Sequence, residues 1–201
     1  MRILGVVGSL RPDSHNRRLL RAAADELPPD TELITFEALK AVEPFDETDE
    51  RETGGGMPGA DAFIAAIRNA DAVLFVTPEY NGSIPGVLKN AVDWASRPTP
   101  AASPLARKPV AVIGASTGAF GAVWAQAELR KALGLAGARV LDEELALPTA
   151  HEAFKPDGRL ARGGTRRRLR EVLAQLASEA NAAAAAAAPA TDPVGTSHMQ
   201  P

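Results

Sequence analysis

Residues 72–92 read Ala72-Val73-Leu74-Phe75-Val76-Thr77-Pro78-Glu79-Tyr80-Asn81-Gly82-Ser83-Ile84-Pro85-Gly86-Val87-Leu88-Lys89-Asn90-Ala91-Val92. Ala72–Val76 is a continuous apolar run, the pattern of a strand covered on both faces. Two prolines and two glycines among the next ten residues make a rigid, exposed turn. Ile84, Val87, Leu88, Ala91 and Val92 then recur at i, i+3, i+4, i+7 and i+8, the apolar stripe of a helix packed on a core. A doubly covered strand, a stiff turn and an amphipathic helix together define an α/β unit.

The same unit recurs on either side. Ile3–Val7 reads as a strand leading into a helix over Ser14–Leu27, and Glu32–Phe36 as a shorter second strand. Val110–Ile113 repeats the buried-strand signature, and Ala138–Leu141 is a fifth strand. Helical patterns cover Ala60–Asn69, Pro85–Ala95, Val123–Leu133 and Arg166–Glu179. Five strands alternating with helices predict a parallel sheet wound on both faces, because short crossovers of this kind are right-handed. Val42–Gly59, acidic and then glycine-rich, is expected to be a mobile loop. Residues 1–180 are read as one domain. Residues 181–201, beginning in the alanine run Ala182–Ala188, are read as a low-complexity, disordered tail.

Composition narrows the function. The chain has 201 residues, 45% of them apolar, and a net charge of −3, so it has no basic field to hold nucleic acid or an anionic membrane. No window approaches the roughly 20 consecutive apolar residues of a membrane span. Met1–Gly8 is too short for a signal peptide and runs straight into a turn with Arg11 and Asp13, which predicts a cytoplasmic protein. With no cysteine, thiol chemistry and iron–sulfur ligation are excluded. His15, His151 and His198 have none of the spacings of a metal site, so none is expected. Any redox chemistry must be carried by a bound organic cofactor.

The most distinctive segments fall at the carboxyl ends of strands one, three and four, where open parallel sheets bind ligands. In Gly8-Ser9-Leu10-Arg11-Pro12-Asp13-Ser14-His15-Asn16, hydroxyls, an amide and a guanidinium precede a helix, whose N-terminus attracts phosphate. The loop matches neither the dinucleotide nor the nucleoside-triphosphate glycine pattern, so a monophosphate fits best. Ser14 and Asn16 could equally serve only as helix caps. In Thr77–Gly86, the stiff turn can aim backbone amides at a ring edge while Tyr80, the one tyrosine in the chain, offers an aromatic face. Gly114-Ala115-Ser116-Thr117-Gly118-Ala119-Phe120-Gly121 is small enough to let the backbone approach a flat ligand.

These loops resemble the NAD(P)H-dependent FMN reductase family, which includes chromate and quinone reductases and related azoreductases. The resemblance is carried by Gly8-Ser9-Leu10-Arg11, Ser14-His15-Asn16 and the stretch Pro78–Trp94, and it extends from Met1 to about Leu176. It implies a flavodoxin-like three-layer sandwich, with a five-stranded parallel sheet of order 2-1-3-4-5, helices on both faces and FMN at the sheet edge. Ser9, Arg11, Ser14, His15 and Asn16 would hold the FMN phosphate. Pro78, Glu79, Tyr80 and Asn81 would line the isoalloxazine, with Ser116, Thr117 and Gly118 on its other side. His15 departs from the apolar or aromatic residue common there in the family, and could add a pH-dependent charge.

The implied chemistry is hydride transfer from NADPH or NADH, then electron transfer by ping-pong exchange to a quinone, flavin, azo compound or metal oxyanion such as chromate. FMN carries that chemistry, so no catalytic side chain is named. The resemblance also implies a homodimer or homotetramer. Two other readings remain. One is a flavodoxin-type electron carrier, although carriers are commonly more acidic. The other is a Ser–His–Asp esterase, because Gly114–Gly118 matches a G-x-S-x-G elbow and would recruit Ser116, Asp142 and His151. Arg166, Arg167, Arg168 and Arg170 are read as a solvated helix face, and Trp94 and Trp124 as structural side chains.

Overall fold

A computed structural model describes residues 1–49, 57–97, 99 and 101–187. Its strands are β1 (Arg2–Val7), β2 (Glu32–Phe36), β3 (Ala72–Thr77), β4 (Pro109–Ala115) and β5 (Arg139–Leu147). Its helices are α1 (His15–Ala24), α2 (Pro58–Arg68), α3 (Gly86–Ala95), α4 (Val123–Leu135) and α5 (Gly163–Ala187), with a 3-10 turn at Leu39–Ala41. All neighbouring strands are parallel, and the order is β2-β1-β3-β4-β5, the flavodoxin-like arrangement. Among the described residues no helix is long and apolar enough to cross a membrane.

Strand side chains alternate between two faces, and the core divides accordingly. Ile3, Val7, Leu74, Val76, Ala111 and Ile113 join Leu19 and Leu20 of α1 and Leu169, Leu173 and Leu176 of α5 on one face. Leu4, Val6, Val73, Phe75, Val110 and Val112 join Phe63 and Ile67 of α2, Leu88 and Val92 of α3, and Leu129 and Leu133 of α4 on the other. Every residue of β3 and β4 is buried, which explains their unbroken apolar runs. Truncating a filled position such as Phe63 or Phe75 to Ala would cost about 3–5 kcal/mol.

Several boundaries differ from expectation for physical reasons. Helix α1 begins at His15, capped by Ser14, and stops at Ala24 rather than Leu27. Strand β5 runs to Leu147, well past Leu141. It is an edge strand whose outer positions are polar (Asp142, Glu143, Glu144), and its ladder with β4 is irregular between Val110 and Val112, so apolarity alone marks only its first part. Helix α5 carries the alanine run through Ala187, in keeping with alanine's helix propensity. Residues 188–201 and, in the loop expected to be mobile, residues 50–56 lie outside the described residues.

The arginine run lies on an exposed helix face, as expected, and is ion-paired there. Arg166 and Arg170 both pair with the nearly buried Glu26, just beyond the end of α1, and so tie the two helices of one face together. Arg167 and Arg168 reach Glu171. Trp94 is buried, and its Nε1 donates to the Glu43 carbonyl at 2.8 Å.

Candidate active site

The loops after β1, β3 and β4 meet at the carboxyl edge of the sheet. The Gly8 amide continues the ladder to the Val76 carbonyl (2.9 Å), and Thr77 stands beside Gly114 across β3 and β4. A Cβ on Gly114 would lie 2.7 Å from the Thr77 carbonyl oxygen, so only glycine lets these strand ends close up. Between the loops lies an open cleft of about 160 Å³. It brings together Ser9, Arg11, Ser14, His15 and Asn16 from the first loop, Pro78, Glu79 and Tyr80 from the second, and Ser116 and Thr117 from the third. Asn81 and Gly118 are exposed and do not line the cleft; they belong to the turns that carry its second and third walls.

One end of the cleft is rich in donors. Ser9 and Ser14 are buried in its floor. Ser14 has extended backbone angles, and its Oγ accepts from the Arg17 amide at 3.1 Å, so it caps α1. Its hydroxyl proton stays available to an anion. Arg11 is exposed, 3.5 Å from the Asp13 carboxylate. His15 is the first residue of α1, and its Nδ1 is buried with no hydrogen-bond partner. Burial, reinforced by the charges of Arg18, Arg11 and His151 and opposed by Asp13, holds its imidazole below the ordinary value of 6.5. The Asn16 carboxamide is turned to the protein: Nδ2 donates to the Ala115 carbonyl and Oδ1 accepts from the Ala115 amide, each at 2.9 Å.

The other end is built on a hairpin. The amides of Tyr80 and Ser83 each donate to the other's carbonyl at 3.1 Å, around Asn81 (φ 54°) and Gly82 (φ 73°). Positive φ at both central residues is the type I′ geometry, for which Asn-Gly is the preferred pair. Tyr80 is thereby held at the rim, 50% exposed. Behind it, Glu79 Oε2 accepts from the amides of Trp124 and Ala125 (3.1 and 3.2 Å) and caps α4 from another loop. The Ser83 hydroxyl donates to Glu128 on the same helix. The second loop is thus fastened to α4 at two points.

The third loop is held by Ser116 Oγ, which accepts from the Gly118 amide at 3.2 Å, and by the Thr149 amide, which donates to the Gly118 carbonyl at 3.1 Å. Trp124 is 50% exposed and tilted against Phe120, which is 62% exposed, with ring centroids 4.9 Å apart. Neither ring lines the cleft, but the pair stands next to Glu79, which does. The helical pattern from Val123 puts Trp124 in a first turn, while nothing local shows that Glu79 caps it.

The esterase triad is not assembled. Asp142 lies five residues back along β5 from Leu147, the residue whose carbonyl bonds the Ser116 amide, roughly 16 Å at strand rise. Its carboxylate is exposed, with Arg130 at 3.7 Å. His151 has Glu152, at 3.5 Å, as its acidic neighbour. Ser116, Asp142 and His151 therefore cannot form a relay.

A family model described as NADPH-dependent FMN reductase matches residues 1–152. The chain is 38% identical over 177 residues to an NAD(P)H-dependent FMN reductase of Pseudomonas aeruginosa, covering 88% of this chain and 93% of that protein. It is 45% identical over 132 residues to a 2-hydroxy-1,4-benzoquinone reductase of Burkholderia sp, covering 65% of this chain and 68% of that protein. Among solved structures it is similar to FerB, a flavoenzyme NAD(P)H:(acceptor) oxidoreductase from Paracoccus denitrificans. The TM-score is 0.80 at 30% identity, covering 90% of this chain and 97% of that one.

Proposed function

The chain belongs to the NADPH-dependent FMN reductase family, and on that footing we propose that it uses FMN in this cleft to pass electrons from NAD(P)H to a quinone. The observation that carries the reading is the convergence of three separate loops on one cleft, anion donors at one end and a stiffened aromatic turn at the other.

The residues present fit FMN. Ser9 and Ser14 hydroxyls, the Arg11 guanidinium, the N-terminus of α1 and the unpartnered His15 suit a terminal phosphate. The backbone of Pro78–Asn81 and of Ser116–Gly118 would flank the ring, with Tyr80 at its rim. Bound FMN supplies the redox chemistry, accepting a hydride equivalent and releasing electrons. The side chains bind and orient: Glu79 fixes the turn that carries Tyr80, and Asn16 fixes the strand end beneath Ser116.

The openness of the cleft supports a ping-pong exchange in which nucleotide and acceptor occupy the same space in turn. Parallel double-reciprocal lines are expected; intersecting lines would overturn it. Likeness to the Burkholderia benzoquinone reductase favours a quinone, with flavins, azo compounds and chromate as further acceptors to assay. Use of NAD(P)H supports a cytoplasmic placement. The exposed Phe120, Trp124 and Leu135 support a homodimer or homotetramer.

The deciding experiment is the visible absorption spectrum of the purified protein, repeated after NADPH is added without oxygen. Flavin bands that bleach are expected. Bands that persist would indicate an electron carrier, and a protein that neither carries nor takes up FMN would overturn the reading.

A further inference from the structure

The phosphate end of the cleft is unusual in its charge. Arg11 on the first loop and His15 on α1 line it, and Arg18 on α1 and His151 on the loop after β5 lie near enough for their charges to act on His15. Arg18 is held there by the Phe154 ring, its guanidinium 4.4 Å from the centroid. The acids nearby are already engaged, Asp13 with Arg11 and Glu152 with His151, each at 3.5 Å. Of the three histidines of the chain, His15 lines the cleft and His151 lies within electrostatic reach of it.

His15 is the group whose charge depends on what fills the cleft. Its Nδ1 is enclosed without a partner, so protonation there would bury an N–H with no acceptor, beside two arginines. An arriving phosphate leaves the enclosed Nδ1 as it is but meets the ring from the cleft, where its negative charge offsets Arg11 and Arg18 and favours the imidazolium. Arginine stays charged at every relevant pH, and serine hydroxyls do not titrate. Among the residues lining this end, His15 is the one whose ordinary ionisation falls near neutral pH.

We propose that His15 links cofactor binding to proton uptake, so that the site selects FMN over riboflavin more strongly as the pH falls from mildly alkaline to neutral. The proposal rests on the FMN reading of the cleft. The sign follows from linkage: a ligand that raises the ionisation of a group binds more tightly as pH falls between the raised and free values. The window closes at about pH 6, where the phosphate begins to take up its own second proton. Burial first, and then the charges of Arg18, Arg11 and His151, hold His15 below 6.5 in the free protein; a phosphate opposes those charges and so moves the imidazole upward.

The test measures FMN and riboflavin affinities of the apoprotein, by flavin fluorescence, from about pH 6.5 to about pH 8.5, a range straddling imidazole ionisation. In the wild-type protein the ratio of FMN to riboflavin affinity should rise as pH falls, by at most roughly tenfold per pH unit for one proton. In His15→Gln the ratio should be flat or fall. The His15 imidazole resonance, followed by NMR, should titrate at higher pH with FMN bound and be unmoved by riboflavin. A wild-type ratio independent of pH, an equal slope in His15→Gln, or an imidazole unmoved by FMN would each overturn the proposal. Should the variant fail to fold, the wild-type resonance decides alone. If neither flavin binds, the cofactor reading itself falls; if FMN binds without the pH-linked preference, only the proton linkage does.

Discussion

Asn16 and Ala115 stand 99 positions apart in the chain and exchange two hydrogen bonds, the carboxamide of one imitating a strand neighbour for the peptide of the other. The pair joins the start of α1 to the end of β4 inside the protein. Asn16→Ala would leave a buried amide and carbonyl unpaired and should cost about 2–4 kcal/mol. Asn16→Asp should give little rescue, because its second carboxylate oxygen would face the Ala115 carbonyl. Urea unfolding of both variants checks this, with weakened FMN binding expected alongside.

Glu79 acts on α4 from a loop 45 positions away. Glu79→Ala should cost about 1 kcal/mol, the ordinary value of an N-terminal cap, and Glu79→Gln much less, since its amide oxygen can still accept. Because the same side chain anchors the Tyr80 turn, Glu79→Ala should also weaken FMN affinity, measurable by fluorescence titration against Glu79→Gln.

Gly82 occupies φ 73° in the two-residue turn, a conformation that a side chain disfavours by roughly 1–2 kcal/mol. The added Cβ would meet no atom within 4 Å, so backbone strain alone is being tested. Gly82→Ala should loosen the Tyr80 rim and raise the KM for quinone more than it lowers the melting temperature.

Glu43 gives the fold an acid-sensitive joint. Its carboxylate accepts from the amides of Gly59 and Ala60 at 3.0 Å each, and these bonds, that from Gly59 foremost, hold its ionisation below the ordinary 4.5. A group with a depressed folded-state value stabilises the protein above its unfolded value, and that contribution disappears as pH falls through the folded one. Wild-type stability should therefore drop below about pH 4.5 more steeply than that of Glu43→Gln. Urea midpoints measured across the acid range check this.

Much of the fold was legible because its signals are local. The apolar runs of β1, β3 and β4 and the stripe of α3 each lie within a few residues. The three loops could be placed at strand ends without knowing any long-range contact. What escaped notice depends on partners far along the chain. Nothing near Asn16 shows that its amide serves Ala115, and nothing near Glu79 shows that it caps a helix beginning at Val123. The outer half of β5 was missed because an edge strand with Asp142, Glu143 and Glu144 lacks the apolar continuity of the inner strands.

The fastenings of the cleft lie partly on its own lining: Asn16, tied to Ala115, and Glu79, tied to α4, both line it, while the bond from Ser83 to Glu128 stands outside. Framework and contact surface therefore share residues. A descendant of this chain that exchanged Asn16 or Glu79 for a new ligand contact would loosen its scaffold in the same step.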